Sequence, residues 1–82
     1  MTSKIAREQI QTLDVTVWVG KHGVGAVTEE LETQLDRQEY VKVKFLRSAR
    51  GSSDTESLAD ELAEQTNSEL VETRGHTAVY RS

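Results

Sequence analysis

Two short valine runs alternate with polar or bulky neighbours, and one amphipathic stripe lies between them. Val15, Val17 and Val19 alternate with Thr16 and Trp18, and residues 40–46 put Val41, Val43 and Phe45 on one side with Lys42 and Lys44 on the other. A period of two in β-branched residues predicts strands with one well-buried face. From Val27 the apolar spacing changes to four, through Leu31 and Leu35, while acids fill the other faces. That pattern predicts a helix of about three turns, ending near Gln38. Strands joined through a helix cannot form a tight hairpin, so the unit is a crossover, and crossovers are right-handed almost without exception.

The flanking segments extend this unit. Residues 3–11 space Ile5, Ala6 and Ile10 as a short helix, with Lys4 and Arg7 outside the stripe. Residues 47–53 mix Ser, Gly and two arginines without periodicity, which predicts a mobile loop. Ser53 and Glu56 have the spacing of a capping box at the start of a third helix, whose stripe is Leu58, Ala59, Leu62 and Ala63 and whose end is marked by Asn67 and Ser68. Residues 70–73 and 77–80 flank Arg74-Gly75-His76, where Gly75 supplies the positive φ of a hairpin turn. The order α-β-α-β-α-β-β predicts an α/β (α+β) fold with a four-stranded mixed sheet. The second and third helices should share one sheet face. The first should cover part of the other, with Trp18, Lys42 and Lys44 near its margin. Trp18 and Tyr80, large aromatics with polar edges, could stack on a flat ligand ring if exposed, but as strand aromatics they are assigned to the core.

With 82 residues, positions 1–82 make a single domain around one core. No cysteine is present, which excludes disulfides, thiolate zinc sites and thiol chemistry. The first residues lack the apolar run of a signal peptide, and no segment approaches the ~20 apolar residues of a membrane span, so a soluble cytoplasmic protein is expected. The net charge of −4 disfavours polyanions at first sight, because phosphate binding depends on Lys and Arg. The charges are, however, segregated. Residues 29–39 carry five acids against Arg37, and residues 54–72 carry seven acids and no base. The remainder holds nine of the ten Lys and Arg residues and only Glu8 and Asp14. Such a chain can present one acidic and one basic surface.

Between the first strand and the second helix stands Gly20-Lys21-His22-Gly23-Val24-Gly25. Three glycines in six residues let backbone approach a ligand closely. First-turn amides and the helix dipole attract an anion, and Lys21 adds a formal charge. A nucleotide-binding P-loop would need Lys and Ser or Thr after its last glycine, and a dinucleotide fingerprint would need a different glycine order and a larger fold. Neither pattern matches. His22 and His76 have no third candidate ligand and no nucleophile at a catalytic spacing, so no metal, cofactor or catalytic set is expected.

Taken together, Val17-Trp18-Val19-Gly20-Lys21-His22-Gly23, residues 39–46, Glu61-Leu62-Ala63-Glu64-Gln65-Thr66 leading to Leu70-Val71, and residues 75–81 resemble the CRM domain, the chloroplast RNA splicing and ribosome maturation family, and especially its stand-alone YhbY-like members. The resemblance covers nearly the whole chain. It implies a fold similar to the C-terminal domain of bacterial translation initiation factor three. It also implies binding to structured RNA, with large ribosomal subunit precursors as the expected partner. By matching position, the RNA-contacting loop falls on Gly20, Lys21, His22 and Gly23. The surrounding basic surface is assigned to Lys44, Arg47, Arg74, Lys4 and Arg7. The chain departs from the family in its acidic balance, in a first helix that keeps only Lys4 and Arg7, and in lacking a proline before the first strand.

The reading that follows is a non-enzymatic, monomeric RNA-binding protein whose GxxG loop grips the phosphate backbone, acting in large-subunit assembly or RNA folding. The alternative is an acidic protein-interaction module docking a basic partner such as a ribosomal protein. A phosphate-handling enzyme ranks behind both, for want of a catalytic constellation. Abundant acids with few lysines suit the cytoplasm of a halophilic archaeon, where salt screens their repulsion. Raising KCl to molar concentration is therefore expected to raise the midpoint of thermal unfolding; an unchanged or lower midpoint would refute that account of the composition.

Overall fold

A computed structural model describes residues 13–51 and 54–82. The helix expected at residues 3–11, with Lys4 and Arg7, lies outside the described residues, as does Ser53. Strand β1, Val15–Val19, leads through one 3-10 turn, Val24–Val27, into helix α1, Thr28–Arg37. Strand β2, Val41–Phe45, is followed by a single helical turn α2, Arg47–Arg50, and then by α3, Thr55–Thr66. Strands β3, Glu69–Arg74, and β4, Thr77–Arg81, complete a four-stranded sheet in the order β1-β2-β4-β3. β1 and β2 are parallel, and β4 runs antiparallel to both of its neighbours, so the sheet is mixed as expected.

Alternation decides which face is buried. Val17, Val19, Val41, Val43, Phe45, Ala78 and Tyr80 turn to one side of the sheet, where Leu31 and Leu35 of α1 and Leu58, Ala59 and Leu62 of α3 complete a single core. Both acidic helices thus share one sheet face. Tyr80 is fully buried, and its hydroxyl donates to the Ala59 carbonyl oxygen at 2.9 Å, tying β4 to α3. Val79, one residue away in β4, turns to the opposite face and packs with Tyr40, Leu13 and Val71 in a smaller cluster. Trp18 is a correction: it alternates with two buried valines, so it projects from the opposite face and is 54% exposed rather than in the core.

Three local departures have identifiable causes. The cap of α3 is Asp54, not the capping box read from Ser53 and Glu56: Asp54 has extended φ and ψ, and its carboxylate accepts the Ser57 amide at 2.8 Å. At the far end Asn67 takes a left-handed φ of 53°, and the Ser68 amide reaches back to the Ala63 carbonyl at 3.0 Å, as in a Schellman motif. Residues 47–50, expected to be loop, wind one turn because the Ala49 and Arg50 amides donate to the Leu46 carbonyl and the Arg50 side chain donates to the Phe45 carbonyl at 3.3 Å. Finally, α1 does not begin at the glycine cluster. Val27, the last residue of the 3-10 turn and the N-cap of α1, leaves helical geometry with φ −117° and ψ 8°, so the two do not run on as one helix.

β1 is an edge strand with an irregular register between Val15 and Val17. Gln34 of α1 reaches that edge: its Nε2 donates to the Thr16 carbonyl at 3.3 Å, and its Oε1 accepts from the Thr16 hydroxyl. At the opposite end of the chain, Gly75 has φ 58° at the first central position of a two-residue turn, as a type II′ hairpin requires.

Burial pushes the Tyr80 phenol well above its ordinary range, and the nearby negative charge of Asp60 adds to the effect. A folded-state pKa above the unfolded value means that this contribution to stability is complete below about pH 10 and is lost as pH rises beyond it. Tyr80→Phe is expected to cost about 1 kcal/mol at neutral pH through the lost hydrogen bond and to flatten the decline in stability above about pH 10. Urea titrations of parent and variant at both pH values check this; an equally steep alkaline decline in the variant would contradict it.

Candidate functional site

The parallel β1–β2 pair brings the ends of both strands to one edge of the molecule. The Leu46 amide donates to the Val19 carbonyl at 2.9 Å, and the Phe45 amide donates to the His76 carbonyl at 2.8 Å. The loop after β1, the α2 turn after β2 and the β3–β4 hairpin therefore share one end of the sheet. Gly20 lies close enough to this junction that a Cβ there would meet Ser48 Oγ at 3.8 Å and Leu46 Cδ1 at 4.0 Å, both ordinary contacts.

Residues 20–23 form a closed turn, in which the Gly23 amide donates to the Gly20 carbonyl at 3.0 Å. Lys21 and His22 occupy its exposed tip. Gly23 has φ 83° and ψ −179°, a region open only to glycine, although a Cβ would meet nothing within 4 Å. Of the two glycines that bound the turn, Gly23 is thus required by backbone conformation and Gly20 is not. The amides of Lys21 and His22 have no acceptor among the described residues.

The expected α-helix terminus does not stand at this loop. A 3-10 turn of four residues intervenes, and α1 starts at Thr28 with Glu29 and Glu30 already in its first turn. An anion at the loop would therefore meet loop amides and Lys21 rather than the dipole of a long helix. Cations gather nearby. Lys44 and Arg74 are exposed on the sheet face that the described helices leave open, and Arg47 is exposed on α2. Among the described residues the single ion pair is Arg81 with Glu69 at 3.4 Å, so none of these three cations is matched by a carboxylate there.

A row of paired positions crosses the whole sheet: Trp18 pairs with Lys44, Lys44 with Thr77, and Thr77 with Arg74. Paired positions project to the same side. The exposed acids Glu29, Glu30, Glu32 and Asp36 of α1 and Glu56, Asp60, Glu61 and Glu64 of α3 belong to the helical layer on the other side. The segregation along the sequence thus becomes a partial one in space: the helical layer is acidic, while the opposite sheet face carries Lys42, Lys44, Arg74 and Arg81 together with Glu69 and Glu72 of β3, which pair with Arg81 and Val79.

Of the residues singled out from sequence, Gly20, Lys21, His22, Gly23, Lys44, Arg47 and Arg74 are brought to this end and face, while Lys4 and Arg7 lie outside the described residues. Trp18, assigned from sequence to the core, also stands on this face; its alternation with Val17 and Val19 was the available signal. Sequence reasoning left out the proximity of His76, which depends on β4 inserting between β2 and β3. Among the described residues no cluster of three His, Asp or Glu side chains is arranged to hold a metal, and no helix is long and apolar enough to cross a membrane.

The comparisons with known proteins agree with this architecture. A probable RNA-binding protein of Methanocaldococcus jannaschii is 33% identical over 73 residues, 89% of this chain and 54% of that protein. The chain thus spans about half the length of that curated relative. The solution structure of a hypothetical protein from Staphylococcus aureus with a proposed RNA-binding role superposes with a TM-score of 0.75 and 28% identity, covering 95% of this chain and 80% of that one. The CRS1 / YhbY (CRM) domain matches residues 2–81, nearly the whole sequence, and the chain belongs to that family.

Proposed function

We propose that this domain binds structured RNA without transforming it, gripping the phosphate backbone with the turn Gly20-Lys21-His22-Gly23. The observation that carries this reading is the turn closed by the Gly23 amide on the Gly20 carbonyl, with Lys21 and His22 exposed at its tip and a glycine-only conformation at Gly23 leading the chain away from it. Lys44, Arg47 and Arg74 stand at the same end of the sheet, Arg74 on its far strand, without carboxylate partners among the described residues. Backbone donors and Lys21 supply phosphate contacts, and the neighbouring cations supply the sequence-independent attraction that polyanion binding needs. The RNA-binding descriptions of the archaeal relative and the staphylococcal structure support the same class of partner.

The finer reading is a monomeric cytoplasmic factor that works on ribosomal RNA during large-subunit assembly or RNA folding, with Lys4 and Arg7 extending the basic surface. A second reading is favoured by the exposed acids of α1 and α3, which fit a basic ribosomal protein; association that resists ribonuclease would select it.

Gly23→Asp is expected to abolish binding to ribosomal RNA while leaving a cooperative melt, since the strain of a non-glycine residue there is about 1–3 kcal/mol and its side chain meets open space. Lys21→Gln should weaken binding to all RNA sequences alike and lower the salt slope by about one. Filter binding across a salt series, with circular dichroism melts, measures both. Equal affinity of Gly23→Asp and parent refutes the loop as the site.

A further inference from the structure

Trp18 is the chain's single tryptophan, and it is 54% exposed although both of its neighbours in β1, Val17 and Val19, are buried. We propose that its indole is a stacking platform for one unpaired base of the RNA, placing the recognised element in a loop, bulge or single-stranded flank rather than in a continuous duplex. This rests on the RNA-binding reading above and adds to it a surface on the open sheet face.

The geometry favours a base over other occupants. The same transverse row carries Lys44 one strand away and Arg74 three strands away, about 5 Å and about 14 Å at the usual strand spacing. A flat apolar ring with one cation beside it and a second farther along the row matches a stretch of nucleotides, whose bases need a π-face and whose phosphates need positive charge. Thr77, the residue between the cations, has its hydroxyl committed to the Arg74 carbonyl at 2.7 Å and leaves the row low. Along β1, Trp18 precedes Gly20 by two residues, about 7 Å, so a strand whose phosphate is held at the turn passes the indole.

Charge also fixes the direction of passage. The shallow groove on the other flank of Trp18 is lined by Thr16, Val17, Ala26, Val27 and Glu30. The Glu30 carboxylate repels phosphate there, whereas Lys44, one strand from the indole, attracts it onto the sheet; Arg74 adds positive charge farther along the row, tempered by Glu72 two residues before it on the same face of β3. The backbone therefore crosses the open face and not the β1 edge. A duplex hides its base faces within the stack, so only an unpaired nucleotide can use the indole.

Because the tryptophan is unique, its fluorescence reports the contact directly. The probes are an RNA hairpin with a single-stranded loop and a blunt duplex carrying the same stem, titrated at one salt concentration. The hairpin is expected to quench Trp18 and the duplex to leave it largely unchanged. Trp18→Ala should weaken hairpin binding by about tenfold or more, and Trp18→Phe should retain most of it. Melting curves of both variants should match the parent, since the side chain is outside the core. If Trp18→Ala binds the hairpin as the parent does while Gly23→Asp does not, the platform is wrong and the loop reading stands. If the parent binds neither RNA, both fall. Loss of a ribonuclease-resistant protein association in Trp18→Ala, with RNA affinity intact, would give this face to a protein and overturn the proposal.

Discussion

β2 is hydrogen-bonded on both edges, to β1 in parallel and to β4 in antiparallel, and the rest of the molecule is organised around those two ladders. Its buried positions Val41, Val43 and Phe45 meet Tyr80, Ala78, Val17 and Val19 on one face. The parallel ladder makes β1 and β2 end together, and the antiparallel one returns the β3–β4 turn to the same place. Three connections with little burial of their own are thereby collected at one end, held by the amide bonds of Phe45 and Leu46. A site assembled in this way owes its positioning to the sheet and its chemistry to the loops.

Much of the fold was legible because alternation and helical spacing are short-range consequences of which side is wet. The boundaries of β1, the Leu31 and Leu35 stripe, and the positive φ at Gly75 all follow from local sequence. The unread features depend on contacts between distant residues. α2 has too few residues to show a period and is held by Arg50 reaching the Phe45 carbonyl. The position of β4 between β2 and β3 is a long-range choice that no window of sequence contains. The cap of α3 moved by one residue because Ser53 and Asp54 are adjacent capping types, and each has a suitable partner three residues on.

The candidate site was legible in part for a different reason. Glycine clusters announce unusual backbone, and Gly23 has it; Gly20, in the same motif, does not. Charge segregation along the chain anticipated two surfaces, but only the topology shows that Lys44 and Arg74, thirty residues apart, share one transverse row. Trp18 was misassigned because two rules conflict at that position: large aromatics favour the interior, and strict alternation puts every second strand residue outside. Alternation won because Val17 and Val19 already fill the core side of a strand only five residues long.

The Gln34 side chain at the rim of β1 has a further consequence for the molecule in a crowded solution. An edge strand offers its unpaired amides and carbonyls as a template for any other extended chain, the first step toward cross-β polymer. Gln34 occupies both the carbonyl and the hydroxyl of Thr16, and the irregular register beside it disturbs the spacing that an incoming strand would need. One amide on a helix thus acts as a stopper on the β1 side of the four-stranded sheet that the described residues form.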